Sequence, residues 1–316
     1  MGLPENQPLV SVVMCTYNGS LFIDEQIQSI VNQNFTSFEL IVLDDCSTDD
    51  TWQKLQSWQT KNNAIKVFRN EQNLGYNKNF EKAIQLASAD FIALSDQDDI
   101  WLPQKLGKLY AAFTSSEIVL VHSRSVKFEN SDKKLRYDLA KLHHHYSGND
   151  ARRFFFSNHI MGHDMMFRKW LVEKIIPIPD GMSYDWWISL TAVCNGTIGS
   201  VNEFLVHHRI HGNNSFFSKA SASKKKELDM PEMMELFTTI KGLKTNDKAY
   251  LQQFLQLIKD KQRLKKDGFY QPLFKFLFKN RKLIFGHKKR FMPIFSQFKN
   301  ARKYAKMNYE GRGLTI

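Results

Sequence analysis

Asp96, Asp98 and Asp99 fall within four residues, directly after the apolar run at 91–94 and shortly before Pro103. Carboxylates this close repel one another and are costly to gather unless a positive charge sits among them. A hard divalent cation meets that need, since Mg²⁺ and Mn²⁺ take one or two carboxylates together with phosphate oxygens of a substrate. The pattern predicts a strand end that holds a metal and, through it, a diphosphate; the plain alternative is a solvated acidic turn. Asp185 is a second candidate. It opens an apolar, aromatic segment (Trp186, Trp187, Leu190, Val193) of helical spacing. A carboxylate there can be a helix cap. Flanking Trp side chains would also desolvate it and raise its pKa towards the working range of a general base.

The frame for these residues is an alternation of strands and helices. Residues 9–15, 38–43, 65–68 and 91–94 read as strands, the first buried on both faces by its near-continuous apolar run. Helical spacing comes after each of the first three: Ile23, Ile27, Ile30 and Val31; then Trp52, Leu55 and Trp58, with Thr48 or Asp49 as cap; then Phe80, Ala83, Ile84 and Ala87. Such an order specifies an α/β fold with a mostly parallel, twisted sheet flanked by helices. Ligands bind beyond the carboxyl ends of such strands. Thr16, Tyr17, Asp44, Asp45, Asp96 and Asp98 are thereby grouped in one crevice. Neither G-x-G-x-x-G nor G-x-x-x-x-G-K-[ST] occurs, which speaks against a nucleotide-binding oxidoreductase and leaves the phosphates to a metal on the acidic run. Further along, a helix is expected from 102 to 113, a strand over 118–123, a short helix over 171–175 and a strand or two within 198–206. Residues 207–214 read as a polar loop, and helices are expected from about 219 onward. Residues 129–152 read as a surface loop, including His143, His144 and His145, because consecutive residues cannot all face one ion.

No run reaches the ~18 apolar residues of a transmembrane helix, and the N-terminal residues lack the basic and apolar regions of a signal peptide. Three scattered cysteines without metal-ligand spacing suit a reduced, cytoplasmic setting. Charge is unevenly placed. Residues 261–316 hold 16 Lys and Arg against 2 acidic residues, whereas residues 1–260 hold 28 against 30. A near-neutral body thus carries a strongly basic tail.

Several separated motifs occur in a telling order: residues 12–19, Asp44 to Asp49, Asn73-Leu74-Gly75, Ser95 to Asp99, Asp185-Trp186-Trp187 and His211-Gly212-Asn213-Asn214. Together they resemble the family 2 glycosyltransferases of GT-A fold, over about residues 8–215. The resemblance implies a catalytic domain at 1–218, a basic helical extension at 219–316, and metal-dependent (Mn²⁺ or Mg²⁺), inverting sugar transfer. It implies that Thr16, Tyr17 and Asn73 grip the nucleotide and that Asp45 meets the N3–H of a uracil or thymine. Asp96 would reach the ribose, Asp98 and His211 would ligate the metal, and Asp185 would be the catalytic base. The family often has Glu before that Asp; here Tyr184 stands there, which leaves the reacting residue in place. The role of Asp99, as support or on the acceptor side, stays open. The motifs look most like a bacterial rhamnosyltransferase-like branch that builds surface polysaccharides. That resemblance implies dTDP-L-rhamnose or a UDP-hexose as the nucleoside-diphosphate sugar donor and a glycan or lipid-linked sugar as acceptor. A catalytically silent nucleotide-sugar-binding or scaffold protein is the rival; the paired presence of metal carboxylate and base argues against it.

The basic tail has its own reading. Phe291, Phe295 and Phe298 form an apolar stripe among Lys288, Lys289, Arg290, Lys299, Arg302 and Lys303. Such helices lie on anionic membranes, here the inner face of the cell membrane. No nucleic-acid module accompanies the charge. The alternative is an extension that packs on the catalytic domain or mediates a homo-oligomer.

Overall fold

Strand β1 (Val10–Thr16) lies between β2 (Phe38–Asp44) and β4 (Phe91–Ser95), parallel to both, and β3 (Ile65–Arg69) extends the parallel set beyond β2. The structure, a computed structural model, describes residues 7–129, 134–136, 145–212, 228–264, 268–285 and 293–307. Alternation along these strands splits the core between two faces. Val12, Met14, Leu40 and Val42 face one side with Ile23, Ile27 and Ile30 of α1 (Ile23–Val31). Val13, Ile41 and Leu43 face the other with Phe80, Ala83 and Ile84 of α3 (Tyr76–Gln85). Helix α2 (Thr51–Lys61) packs beside β3. Its start is tied by Asp49, whose Oδ1 accepts from the Thr51 N–H at 3.0 Å, although Asp50 occupies the cap position. Register aligns Thr16 with Asp44 and Met14 with Ser95, so three strand ends open at one edge.

Beyond β4 the sheet becomes mixed. β8 (Met165–Arg168) runs antiparallel to β4 and to β6 (Ile118–Glu129), and β6 pairs in parallel with β9 (Thr197–Ile210). β5 (Ile100–Trp101) closes the edge against β9, with Ile100 opposite His207, and β7 (Leu135–Arg136) pairs with β6. Residues 207–210, expected as loop, are therefore strand: pairing with Val126 to Glu129 of β6 draws them into the sheet. Helix α4 (Lys105–Ala111) is shorter at both ends than the expected 102–113. The short α5 (Val172–Ile175) precedes α6 (Tyr184–Asn195), the helix that Asp185 opens.

The C-terminal helices are α7 (Met230–Phe237), α8 (Thr245–Arg263), α9 (Gln271–Lys279), α10 (Arg281–Ile284) and α11 (Pro293–Tyr304). They share the larger core with the sheet. Phe237 meets Trp186 at 6.1 Å between ring centroids, Phe254 meets Phe156 at 5.2 Å and Phe276 at 5.4 Å. The extension thus packs on the body. The boundary expected between 218 and 219, His143 and His144, Asn213 and Asn214, and Phe291 with its neighbours Lys288 to Arg290 lie outside the described residues.

Candidate functional site

The acidic run leaves β4 and turns back through β5, and that turn separates its three carboxylates. Asp98 Oδ2 lies 2.7 Å from His211 Nε2, just past the end of β9. Asp96 Oδ2 lies 3.0 Å from His163 Nδ1. Asp99 is fully buried: its Oδ1 lies 3.0 Å from His208 Nδ1 and accepts from the Arg209 N–H at 3.1 Å, and its Oδ2 lies 3.5 Å from His163 Nδ1. Full burial among these groups suits a supporting part for Asp99. Arg209, also buried, donates Nε to the Asp98 carbonyl at 2.7 Å and stacks its guanidinium over Phe22 and Phe128.

Electrostatics sort these groups further. Burial above all, then the charges of Asp99 and Asp96, push the Asp98 carboxyl up against the opposing His211 hydrogen bond. Burial also works to raise Asp99, but His163 and His208 outweigh it and hold that carboxyl below the usual range. Burial opposes the charge on His163, yet Asp99, Asp164 and Asp96 carry its pKa up to about 10. His163 is therefore an internal cation between Asp96 and Asp99. Ligand atoms of Asp96, Asp99, His163 and His208 lie within 4.8 Å of one another, a set of two carboxylates and two imidazoles that could also hold a cation. Asp98 and His211 bring an oxygen and an imidazole donor together, a pair of the kind that suits a hard divalent ion.

His163 escaped the sequence reading. It sits in Gly162-His163-Asp164, just before β8, and β8 runs antiparallel to β4. Its amino end therefore lies at the edge where the parallel strands end. The one available signal was a His-Asp pair set against the apolar Met165–Phe167. Lys105 supports the turn, donating Nζ to the His163 carbonyl at 2.6 Å and standing 3.3 Å from the centroid of Trp101; burial lowers its pKa to about 7. Replacing His163 by Gln leaves Asp96 and Asp99 without their shared cation. We expect a stability loss of about 3–5 kcal/mol in urea melts and a raised KM for donor.

The other strand ends hold loops. Thr16, buried, donates Oγ1 to Asp44 Oδ1 at 3.1 Å; Asp44 also accepts from the Ser47 N–H at 3.0 Å and pairs with Arg69, so it is structural. Gln97 clasps the Tyr17 backbone, accepting from its N–H at 2.9 Å and donating to its carbonyl at 3.1 Å. A Cβ at Gly19 would stand 2.3 Å from Gln97 Oε1, so a larger residue there would push the Gln97 amide out of this clasp. Tyr17 keeps its ring exposed. Asp45 accepts from Asn70 Nδ2, Leu74 N and Gly75 N, each at 2.8 Å. Gly75, at φ 78°, allows both backbone N–H groups to reach one carboxylate. Asn73 donates Nδ2 to the Asp45 carbonyl at 3.2 Å. Three acceptor positions on Asp45 are thus engaged in holding the 73–75 turn, which leaves Oδ2 room for one further donor. Asp45→Asn turns an NH₂ towards backbone donors and is expected to cost about 1–3 kcal/mol in thermal melts.

Asp185 is fixed from several sides. Trp186 Nε1 donates to the Phe154 carbonyl at 2.6 Å and Trp187 Nε1 to the Ile175 carbonyl at 2.7 Å. Asn77, two residues beyond Gly75, accepts from the Tyr184 N–H at 3.0 Å and donates to the Met182 carbonyl at 2.6 Å. The 73–77 turn and the start of α6 are therefore one unit. Asp185 Oδ1 takes the Ser183 hydroxyl and, at 2.7 Å, the Trp186 N–H; Oδ2 has no hydrogen bond among the described residues. Burial raises its pKa, the two hydrogen bonds and His163 oppose, and Asp96 adds to the rise. Asp185 is thus within electrostatic reach of the acidic turn.

The glycosyl transferase family 2 model matches residues 11–176. An uncharacterized glycosyltransferase of Methanocaldococcus jannaschii is 30% identical over 230 residues, covering 69% of this chain and 77% of its own. A Campylobacter jejuni protein named GalNAc(5)-diNAcBac-PP-undecaprenol beta-1,3-glucosyltransferase is 37% identical over 103 residues, 32% of this chain and 33% of its own. S. aureus TarS 1-349, solved in complex with UDP-GlcNAc, superposes with a TM-score of 0.60 at 19% identity, over 93% of this chain and 90% of that one. That likeness carries the GT-A fold. A family match over more than half of the sequence, with a relative aligned across most of both chains, settles the assignment: the chain belongs to glycosyl transferase family 2.

Proposed function

We propose that this glycosyltransferase moves a hexosyl group from dTDP-L-rhamnose or a UDP-hexose to a glycan or lipid-linked acceptor, with inversion, during synthesis of a bacterial surface polysaccharide. The observation that carries the reading is Asp185 at the start of α6, whose Oδ2 has no hydrogen bond among the described residues and whose carboxyl feels the charge of Asp96. The name of the Campylobacter relative supports a lipid-linked acceptor.

In the proposed reaction Thr16, Tyr17 and Asn73 shape the nucleotide pocket, Asp45 Oδ2 accepts the base N3–H, and Asp96, oriented by His163, accepts a ribose hydroxyl. Asp185 Oδ2 takes the proton of the acceptor hydroxyl. The acceptor oxygen bonds to the anomeric carbon as the bond to the diphosphate oxygen breaks. Asp98 and His211 would hold a divalent cation, Mn²⁺ or Mg²⁺, and when bound it would supply positive charge to offset that of the departing diphosphate. The proposed setting is cytoplasmic, at the inner face of the cell membrane; no described helix is long and apolar enough to cross a membrane.

A panel of nucleotide sugars with Mn²⁺ or Mg²⁺ tests this reading. One donor is expected to turn over, and EDTA is expected to abolish turnover. Donor that binds with no hydrolysis or transfer, whatever acceptor is supplied, would mark a silent nucleotide-sugar-binding protein instead.

A further inference from the structure

The described part of the sequence stripe, Phe295 and Phe298, belongs in three dimensions to a broader surface. Phe298 on α11 meets Phe274 at 5.3 Å and Phe278 at 5.7 Å between centroids, both on α9, and Phe269 meets Phe274 at 5.3 Å. These four rings form a ridge. Phe269, Phe274 and Phe298, with Arg302 and Lys306, line a depression of about 360 Å³ beside it. Ile294 and Phe295, one turn earlier on α11, are 60% and 69% exposed. The core of α11 is made without them, since the residues this helix buries are Gln297, Ala301 and Tyr304 on the adjoining face. Contiguous apolar surface of this kind marks an interaction site.

Charge selects the occupant. Residues 268–309 contain 11 Lys and Arg and no acidic residue. Lys275, Lys279, Lys299, Arg302, Lys303 and Lys306 are all exposed, and among the described residues none forms an ion pair. A second copy of the chain would bring the same uncompensated charge against this one. A surface that is negative at its face and apolar beneath it complements both features together.

We infer that the aromatic ridge of α9 and α11, rimmed by these six cations, docks on an anionic lipid bilayer, with Ile294 and Phe295 entering the interfacial layer. The inference deepens the membrane setting proposed above and rests on it for its biological sense. It also fixes an orientation. Phe276 of α9 packs on Phe254 of α8, Phe254 on Phe156, and Trp186 of α6 on Phe237 of α7. This apolar continuity joins the ridge to the helix that Asp185 opens, so docking sets the angle at which the reactive crevice meets a membrane-borne acceptor.

Co-sedimentation of the full chain with vesicles tests the inference, comparing phosphatidylcholine alone with phosphatidylcholine plus phosphatidylglycerol. The wild type is expected to bind the anionic vesicles and to ignore the neutral ones. K299E/R302E/K303E is expected to weaken that binding by about 100-fold or more, and I294S/F295S by about 10-fold. Donor turnover without vesicles should be unchanged in both variants, which shows that they fold. Absence of binding to anionic vesicles, or binding indifferent to both variants, overturns the inference. So does capture by a DNA oligonucleotide that outcompetes the vesicles, or a concentration-dependent dimer that the I294S/F295S change dissolves. Wild-type vesicle binding without any sugar transfer would leave the docking surface standing and remove the proposed reaction.

Discussion

Asp185→Asn is expected to leave donor binding intact and to lower the rate of sugar transfer by about 10²–10⁴-fold, the usual contribution of general-base catalysis. The substitution keeps the shape and the bonds of Oδ1 to Ser183 and the Trp186 N–H, while replacing the proton-accepting Oδ2 by an amide. Titration with donor should therefore give the wild-type affinity, and single-turnover kinetics should show the loss in the chemical step. A pH profile adds a second readout. Burial raises the Asp185 pKa, so the unprotonated, active form is lost as pH falls through a value above the ordinary aspartate range. The acid limb of kcat should lie correspondingly high in the wild type. It should vanish from the residual rate of the Asn variant. Wild-type turnover in Asp185→Asn would remove Asp185 from the reaction.

Asp98→Asn is expected to weaken metal-dependent donor binding by about 100-fold or more, since a metal contributes several kcal/mol of charge stabilisation at a phosphoryl oxygen. His211→Ala should act in the same direction. Calorimetric titration of donor with Mn²⁺ and with EDTA separates the two contributions: the variant should resemble the wild type in EDTA. A global folding defect would look different. Asp98 is a carboxyl that the fold pushes towards protonation, so its charged form is disfavoured in the native state relative to the unfolded chain. Removing that charge is expected to raise the metal-free melting temperature at neutral pH while binding is lost. A variant that binds donor as the wild type does, with Mn²⁺ present, would exclude Asp98 as a ligand.

The parallel half of the sheet was legible because its signals are local: β1, β2 and β4 each carry a short apolar run, and their polar ends identify one edge. Asp98 and His211 were legible as a pair through motif resemblance, and they lie in contact. The chain beyond residue 95 was harder to read, because strand direction there depends on pairing between distant segments. The antiparallel course of β8 brings His163 to Asp96, and nothing in Gly162-His163-Asp164 announces that course. Residues 207–210 look polar, yet His208 and Arg209 are consumed by Asp99 and the Asp98 carbonyl once β9 pairs with Lys127 and Phe128 of β6. A charged strand of this sort satisfies its polar groups through partners more than a hundred residues away. Asp45 illustrates the reverse limit. Its residue type suited a base contact, but its carboxylate also anchors Leu74 and Gly75, a duty that motif spacing does not reveal. The tail stripe was likewise only half visible, since the ridge needs α9 as well as α11.

The most direct test of the proposed reaction is the stereochemistry of the product. With whichever nucleotide sugar turns over, ¹H NMR of the product during the first turnovers reads the anomeric configuration. Direct displacement, with Asp185 taking the acceptor proton, predicts a product of configuration opposite to that of the donor. A product that retains the donor configuration would contradict it.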